Sequence, residues 1–208
     1  MSCLLVIDVQ NDFLPGGSLG VTDGDKIVPT IKSLVQNKSW NLVVASQDYH
    51  PPKHISFASR HSKPPFTSIK LPNEITQELW PDHCLINSRG SEIEESLKTA
   101  LQEINAEIVQ KGINRELDEY SAFKGDPHGS ELGQLLKTNE IKKIFVCGIA
   151  TDFCVNFSVQ EALSLQPNIE VCIIADCVKG VDESKSVEIL QALEKQGAGI
   201  ITSKEVII

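Results

Sequence analysis

Six short apolar runs recur along the 208-residue chain, with stretches of helical periodicity between them. The runs are Cys3–Ile7, Leu42–Ser46, Glu107–Gln110, Lys143–Cys147, Glu170–Ala175 and Gly199–Thr202. Most are continuously apolar rather than alternating, the pattern of strands covered on both faces. Among the intervening segments, Asp25–Gln36 gathers Ile27, Ile31, Leu34 and Val35 on one face, and Glu92–Ile104 gathers Ile93, Leu97, Leu101 and Ile104. Gly129–Lys137, Asp152–Leu165 and Ser184–Gln196 complete the set of expected helices. This alternation predicts an α/β fold with three layers, α/β/α, around a central, mostly parallel six-stranded sheet. The length suits one domain over residues 1–208.

One segment breaks the rhythm. From Tyr49 to Gly90 no convincing sheet strand is expected, and six of the ten prolines fall there. It also holds His50, His54, His61 and His83, four of the five histidines, together with Trp80. Irregular stretches longer than about 15 residues inside a compact domain are usually functional or disordered. This one reads as an ordered functional excursion.

Charge and cysteine content narrow the partners. A formal net charge of −9 argues against nucleic acid and anionic membranes. Cys3, Cys147 and Cys172 lie within apolar runs, where reduced cysteine packs as a small hydrophobe, and no CxxC pair occurs. The N-terminal stretch MSCLLVIDVQ lacks the pattern of a signal peptide, and no apolar run approaches the ~20 residues of a membrane span. A reducing compartment is expected: the cytosol, with the nucleus also compatible.

Ligands of open parallel sheets bind beyond the carboxyl ends of the strands, so the residues that follow each run carry the functional reading. The first run ends at Asp8, the second at Asp48-Tyr49-His50, the third at Lys111-Gly112. The fourth leads through Gly148-Ile149-Ala150 into a helix beginning near Thr151, and the fifth ends at Asp176. Cys154 is the candidate nucleophile. With Thr151 as cap it falls in the first helical turn, where free N–H groups and the helix dipole favour thiolate. Taken alone, Cys154 reads as a packed helix cysteine, Asp8 as a turn or cap residue and Lys111 as a snorkelling surface lysine. Their convergence at one sheet edge favours chemistry: Asp8 shuttling a proton and Lys111 balancing the charges. Asp48 and His50, with His54 and His83 downstream, suit a divalent ion by residue type, although the spacing matches no compact zinc signature. Cys84 adjoins His83 without an expected reaction, Asp176 reads as a turn cap, and His61 and His128 receive no role.

Five motifs, DVQNDFLPGGSL (8–19), QDYHPPKHISF (47–57), WPDHC (80–84), KGINRELDEYSAF (111–123) and GIATDFCV (148–155), resemble those of nicotinamidases. These enzymes belong to the isochorismatase-like cysteine hydrolases, and the 49–90 segment resembles fungal members more than bacterial ones. The resemblance implies a triad of Asp8, Lys111 and Cys154. It implies metal ligation by Asp48, His50 and His83, with His54 as an additional candidate, and Zn²⁺ as the first choice over Fe²⁺ or Mn²⁺. It also implies a cis peptide between Ile149 and Ala150, and an oxyanion hole built from the N–H groups of Ala150 and Cys154. The substrate would be nicotinamide, stacked among Phe13, Trp80 and Tyr120 and converted to nicotinate and ammonia in NAD salvage. A homo-oligomer is compatible. The alternatives are a related hydrolase acting on another small amide or a vinyl ether, a catalytically idle binding protein, and a metal-hydroxide hydrolase without covalent catalysis.

Overall fold

A computed structural model describes residues 1–206 apart from residues 38 and 166. Strands β1 (Ser2–Ile7) and β2 (Leu42–Asp48) are followed by two short strands, β3 (Thr67–Lys70) and β4 (Thr76–Leu79). Then come β5 (Glu107–Lys111), β6 (Lys143–Ile149), β7 (Glu170–Lys179) and β8 (Gly199–Ile201). The helices are α1 (Val28–Val35), α2 (Glu95–Glu103), α3 (Glu131–Thr138), α4 (Asn156–Leu163) and α5 (Glu183–Lys195).

Six strands form one sheet in the order β5-β2-β1-β6-β7-β8, with every neighbouring pair parallel. Its central strands are buried along both faces, so their side chains sort by parity into two cores. Leu4 and Val6 of β1 face α1 and α2, packing with Ile31, Val35, Leu97 and Leu101. Cys3, Leu5 and Ile7 face α3, α4 and α5, packing with Leu132, Val159 and Leu193. That is the three-layer arrangement read from the apolar runs. The strand order reverses between β1 and β6, where one connection leads away towards β2 and the other towards β7. A crevice at such a switch point is the usual ligand position in open α/β sheets. Asp8 follows β1 and Ala150 follows β6, so the two flank it.

Four local expectations need correction. The 49–90 segment does contain strands: β3 and β4 pair antiparallel as a ribbon outside the main sheet. Its residues TSIK and TQEL are too polar to read as sheet strands: β3 is mostly exposed, and of β4 only Gln77 and Leu79 are buried. Gly148 and Ile149 belong to β6 rather than to a turn, pairing with Val178 and Lys179 across an irregularity in the β6–β7 ladder. Asp176 lies inside β7 and does not cap its own turn. Its carboxylate accepts from the Ser203 N–H (2.7 Å) and hydroxyl (2.6 Å), holding the segment after β8. Thr151 caps nothing: its hydroxyl is buried and unpartnered among the described residues. The turn at Thr151–Val155 is instead a π-helical one, in which the Ala150 carbonyl accepts from both Phe153 N and Val155 N at 3.0 Å.

Candidate active site

Strand ends deliver the polar residues to one point. Asp8 adopts φ 45° directly after β1, leaving the strand direction and turning over the sheet edge. Its carboxylate is held from below by β2: Ser46 Oγ donates to Asp8 Oδ1 at 2.7 Å, and Asp8 N donates to Ser46 Oγ at 3.3 Å. Lys111 ends β5 and is 1 % exposed. Its ammonium lies 2.9 Å from Asp8 Oδ2, 2.6 Å from Asp48 Oδ1 and 3.4 Å from Cys154 Sγ. Asp8 Oδ2 is at ion-pair distance from Lys111 but has no aligned hydrogen-bond donor among the described residues. It is a buried carboxylate oxygen with capacity to accept a proton. Carboxylate oxygens of Asp8 and Asp48 and the Cys154 sulfur lie within 4.8 Å of one another.

Burial dominates the proton affinities. It pushes the Cys154 thiol well above its ordinary value, and the carboxylates of Asp8 and Asp48 add to that against the pull of Lys111. Burial thus works against the helix start, which on sequence grounds favours thiolate. Burial also raises Asp8, with Lys111 opposing and Asp48 reinforcing. For Lys111 burial disfavours the charge, yet the two aspartates and Cys154 hold its pKa well above the ordinary value. For Asp48 burial is likewise outweighed, by Lys111 and His50, and its carboxylate stays ionised. The Lys111 ammonium thus sits between the Asp8 and Asp48 side chains, with the Cys154 thiol beside it.

A second cluster shares Asp48. Asp48 Oδ2 lies 3.4 Å from His50 Nε2 and 4.0 Å from His83 Nε2. The far nitrogen of each ring is bonded to backbone: His50 Nδ1 to the Gly112 carbonyl (2.9 Å) and His83 Nδ1 to the Pro81 carbonyl (2.7 Å). Such bonds fix the tautomer that presents Nε2 as a lone-pair donor, the usual outer support of a metal-binding histidine. Burial lowers His83 to about 4, keeping it neutral, as ligation requires. Two imidazole nitrogens and a carboxylate oxygen, all buried and convergent, fit a divalent cation. Gly112 is required here: it has φ +66°, and a side chain on it would strike the His50 ring. Gln10, three residues past the end of β1, supports the cluster, accepting from Asp48 N and donating to the Asp48 carbonyl, both at 2.8 Å. His54 stands apart from the donor set. Its ring lies 4.1 Å from that of His50, but Nδ1 pairs with Ser56 Oγ (2.8 Å) and Nε2 with the Leu117 carbonyl (3.0 Å).

Between the two clusters opens a narrow cavity of about 40 Å³, lined by Phe13, Trp80, Tyr120 and Phe153, with Cys154 and His83 in its wall. Trp80 Nε1 donates to Tyr120 Oη at 3.0 Å, which locks the two aromatics together. Phe153 meets the Trp80 ring edge-on at 4.8 Å. A hollow of about 620 Å³ by Met1 and Lys142, at the opposite ends of the strands, brings together no comparable set of groups. The Ile149–Ala150 peptide is cis, as the family resemblance implied. Ser46, Gln10, Gly112 and Phe153 are the site residues that sequence reasoning assigned no part. So is Asp12, whose carboxylate accepts from Cys84 N at 2.7 Å and steadies the His83 turn. All six cysteines are free, so Cys84 and Cys147 are buried packing residues.

A parallel sheet with a cysteine, a lysine and an aspartate at its switch point defines a class, and residues 2–205 match the isochorismatase domain. The chain belongs to that family. Within it, the nicotinamidase of Acinetobacter baylyi is 37% identical over 209 residues, covering 99% of this chain and 94% of the relative. A yeast nicotinamidase solved with the inhibitor nicotinaldehyde superposes with a TM-score of 0.89 at 27% identity, covering 97% of this chain and 100% of that one. A pyrazinamidase of Pyrococcus horikoshii in complex with zinc gives 0.76 at 31% identity, covering 97% and 98%. Identity runs higher to this bacterial relative than to the yeast structure, so the fungal likeness read in the 49–90 segment does not extend over the chain. No helix among the described residues is long and apolar enough to cross a membrane.

Proposed function

We propose that this chain is a nicotinamidase, hydrolysing nicotinamide to nicotinate and ammonia through a thioester on Cys154. The observation that carries the reading is Lys111 Nζ in contact with Asp8, Asp48 and Cys154 at once, beside a cavity walled by aromatic rings. Full-length relatives named nicotinamidase support the substrate.

Phe13, Trp80 and Tyr120 hold the pyridine ring, with the carboxamide towards Cys154. Asp48, His50 and His83 hold a divalent ion, with Zn²⁺ favoured because a related pyrazinamidase was solved in complex with zinc. When bound, that ion supplies a Lewis acid to orient the pyridine nitrogen. Asp8 Oδ2 takes the thiol proton as sulfur attacks the carboxamide carbon. The C–S bond forms and the carbonyl π pair moves to oxygen, which rests on the N–H groups of Ala150 and Cys154. The C–N bond then breaks, and the nitrogen leaves as ammonia with the proton from Asp8. Asp8 next deprotonates water, which cleaves the thioester. Nicotinate leaves and the thiol is restored. Lys111 stays charged throughout and holds both carboxylates in place. The subsequent use of nicotinate in NAD salvage follows from the product.

The test is ammonia release from nicotinamide by wild-type chain and Cys154→Ala. Loss of turnover with an unchanged far-UV circular dichroism spectrum is expected. Substantial turnover in the alanine variant, or a better rate on another small amide than on nicotinamide, would refute the assignment.

A further inference from the structure

One side of the cavity mouth is formed by Val181, in the loop between β7 and α5. Val181 is 46% exposed, yet it lines the same cavity as Cys154. A single carboxylate holds it there. Asp152 Oδ1 accepts from Val181 N and Asp152 Oδ2 from Asp182 N, each at 2.9 Å. Asp152 is buried and lies two residues before Cys154 in the same π-helical turn. The loop is seated closely: a Cβ on Gly180 would lie 2.9 Å from Asp152 Oδ1 and collide with the Ser186 hydroxyl. Asp182 then caps α5, accepting from Ser184 N at 3.0 Å and Lys185 N at 3.2 Å. A continuous set of bonds thus runs from the nucleophile turn through Asp152 to the mouth loop and into α5.

We propose that Val181 is a specificity-determining residue at the mouth of the pocket, and that Asp152 is the positioning residue that fixes it opposite Cys154. The proposal rests on the reading of Cys154 as the nucleophile. Two charge-assisted bonds to adjacent N–H groups set the direction of the loop, which one neutral bond does not. An asparagine at 152 keeps the volume but turns an NH₂ towards one of the two N–H donors, so one bond is lost. The Val181 isopropyl group limits the size of groups that reach the thiol from the mouth side. Small planar amides pass it and broad substituents do not.

The experiment measures alkylation of Cys154, located by peptide mass spectrometry, with iodoacetamide and with a bulky N-aryl maleimide. Wild type, Val181→Ala, Asp152→Asn and the double variant are compared. The maleimide rate is expected to rise about tenfold in each single variant, the scale on which a pocket discriminates by a methyl group or two. The iodoacetamide rate stays within about twofold, and the double variant is no faster than the faster single, because both changes act through one loop. In steady-state assays, KM for nicotinamide rises in Val181→Ala while kcat holds within about twofold. Gly180→Ala pushes the loop off Asp152 without altering either residue and is expected to match Asp152→Asn, which covers the case of a poorly folding Asp152 variant. Unchanged maleimide labelling in Val181→Ala, or effects that multiply in the double variant, would overturn the proposal. Labelling as expected in a chain that releases no ammonia would instead refute the proposed function and leave the mouth assignment standing.

Discussion

Replacing Lys111 by methionine removes the charge while keeping most of the side-chain volume. Lys111 is 1% exposed and bridges Asp8 Oδ2 (2.9 Å) and Asp48 Oδ1 (2.6 Å), whose side chains are 0% and 7% exposed. Taking the cation away leaves two carboxylates facing each other out of water. Breaking a buried pair from one side costs about 3–5 kcal/mol, against a total domain stability of about 5–15 kcal/mol. In urea unfolding at pH 7.5 with chelator present, Lys111→Met should therefore lose about 3–5 kcal/mol. Thermal unfolding should show a drop of at least about 6 °C for a domain of this size. The decisive comparison is with Asp8→Asn. Alone, that change leaves Lys111 still paired with Asp48 and is mildly destabilising. Combined with Lys111→Met, it removes one of the two stranded charges, so the double variant should be more stable than Lys111→Met alone by at least about 1 kcal/mol. A destabilising change becomes stabilising when its partner is gone. A double variant less stable than Lys111→Met, or a Lys111→Met loss under about 1 kcal/mol, would refute the description of Lys111 as the cation of a closed buried cluster.

Three further outcomes are expected. Ser46→Ala removes the donor to Asp8 Oδ1 and should cut kcat for ammonia release about tenfold with KM nearly unchanged, while Ser46→Thr keeps the hydroxyl and recovers most of it. His83→Ala should lower the metal content measured by plasma mass spectrometry well below that of wild type, whereas His54→Ala, outside the donor set, should leave it near the wild-type value. Glu94 caps α2 by accepting from Leu97 N at 2.9 Å; burial raises its pKa somewhat, but this bond and those from Ser96 lower it overall. Glu94→Ala should cost about 1 kcal/mol at neutral pH. Because the folded pKa is depressed, the ionic part of that contribution is present above the unfolded value and is lost as pH falls through the folded one. The gap between wild type and variant in urea titrations should therefore narrow below about pH 4.

The sheet was legible because burial on both faces forces apolar residues at consecutive positions, as in Leu4-Leu5-Val6-Ile7 and Ile144-Phe145-Val146-Cys147. The same rule hid the β3–β4 ribbon, whose strands satisfy their backbone with each other and leave Thr67, Ser68 and Lys70 to water. It also shortened β6 and β7 in the reading, since Gly148, Asp176 and Lys179 interrupt the apolar runs without ending the ladders. At the site, Asp8, Lys111 and Cys154 were visible as polar residues just past strand ends. Their supports were not. Ser46 and Gln10 are single polar residues whose partners lie 38 positions away, and only strand register brings them together. His54 shows the converse: residue type and neighbourhood suggested a ligand, but Ser56 and the Leu117 carbonyl occupy both ring nitrogens.

Asp48 divides its two oxygens between neighbours: Oδ1 meets Lys111, and Oδ2 faces His50 and His83. The Asp48-His50-His83 cluster and the thiol cluster therefore share one carboxylate. A cation held against Oδ2, as proposed above, would act on the same carboxylate that meets the Lys111 ammonium, which in turn touches both Asp8 and the sulfur. A chelator would then act at two places, the cradle for the ring and the alignment of the nucleophile. A replacement ion can restore the second without restoring the first. Metals that return thiol reactivity but not turnover would separate the two roles, and they turn metal exchange into a probe of the thiol as much as of substrate binding.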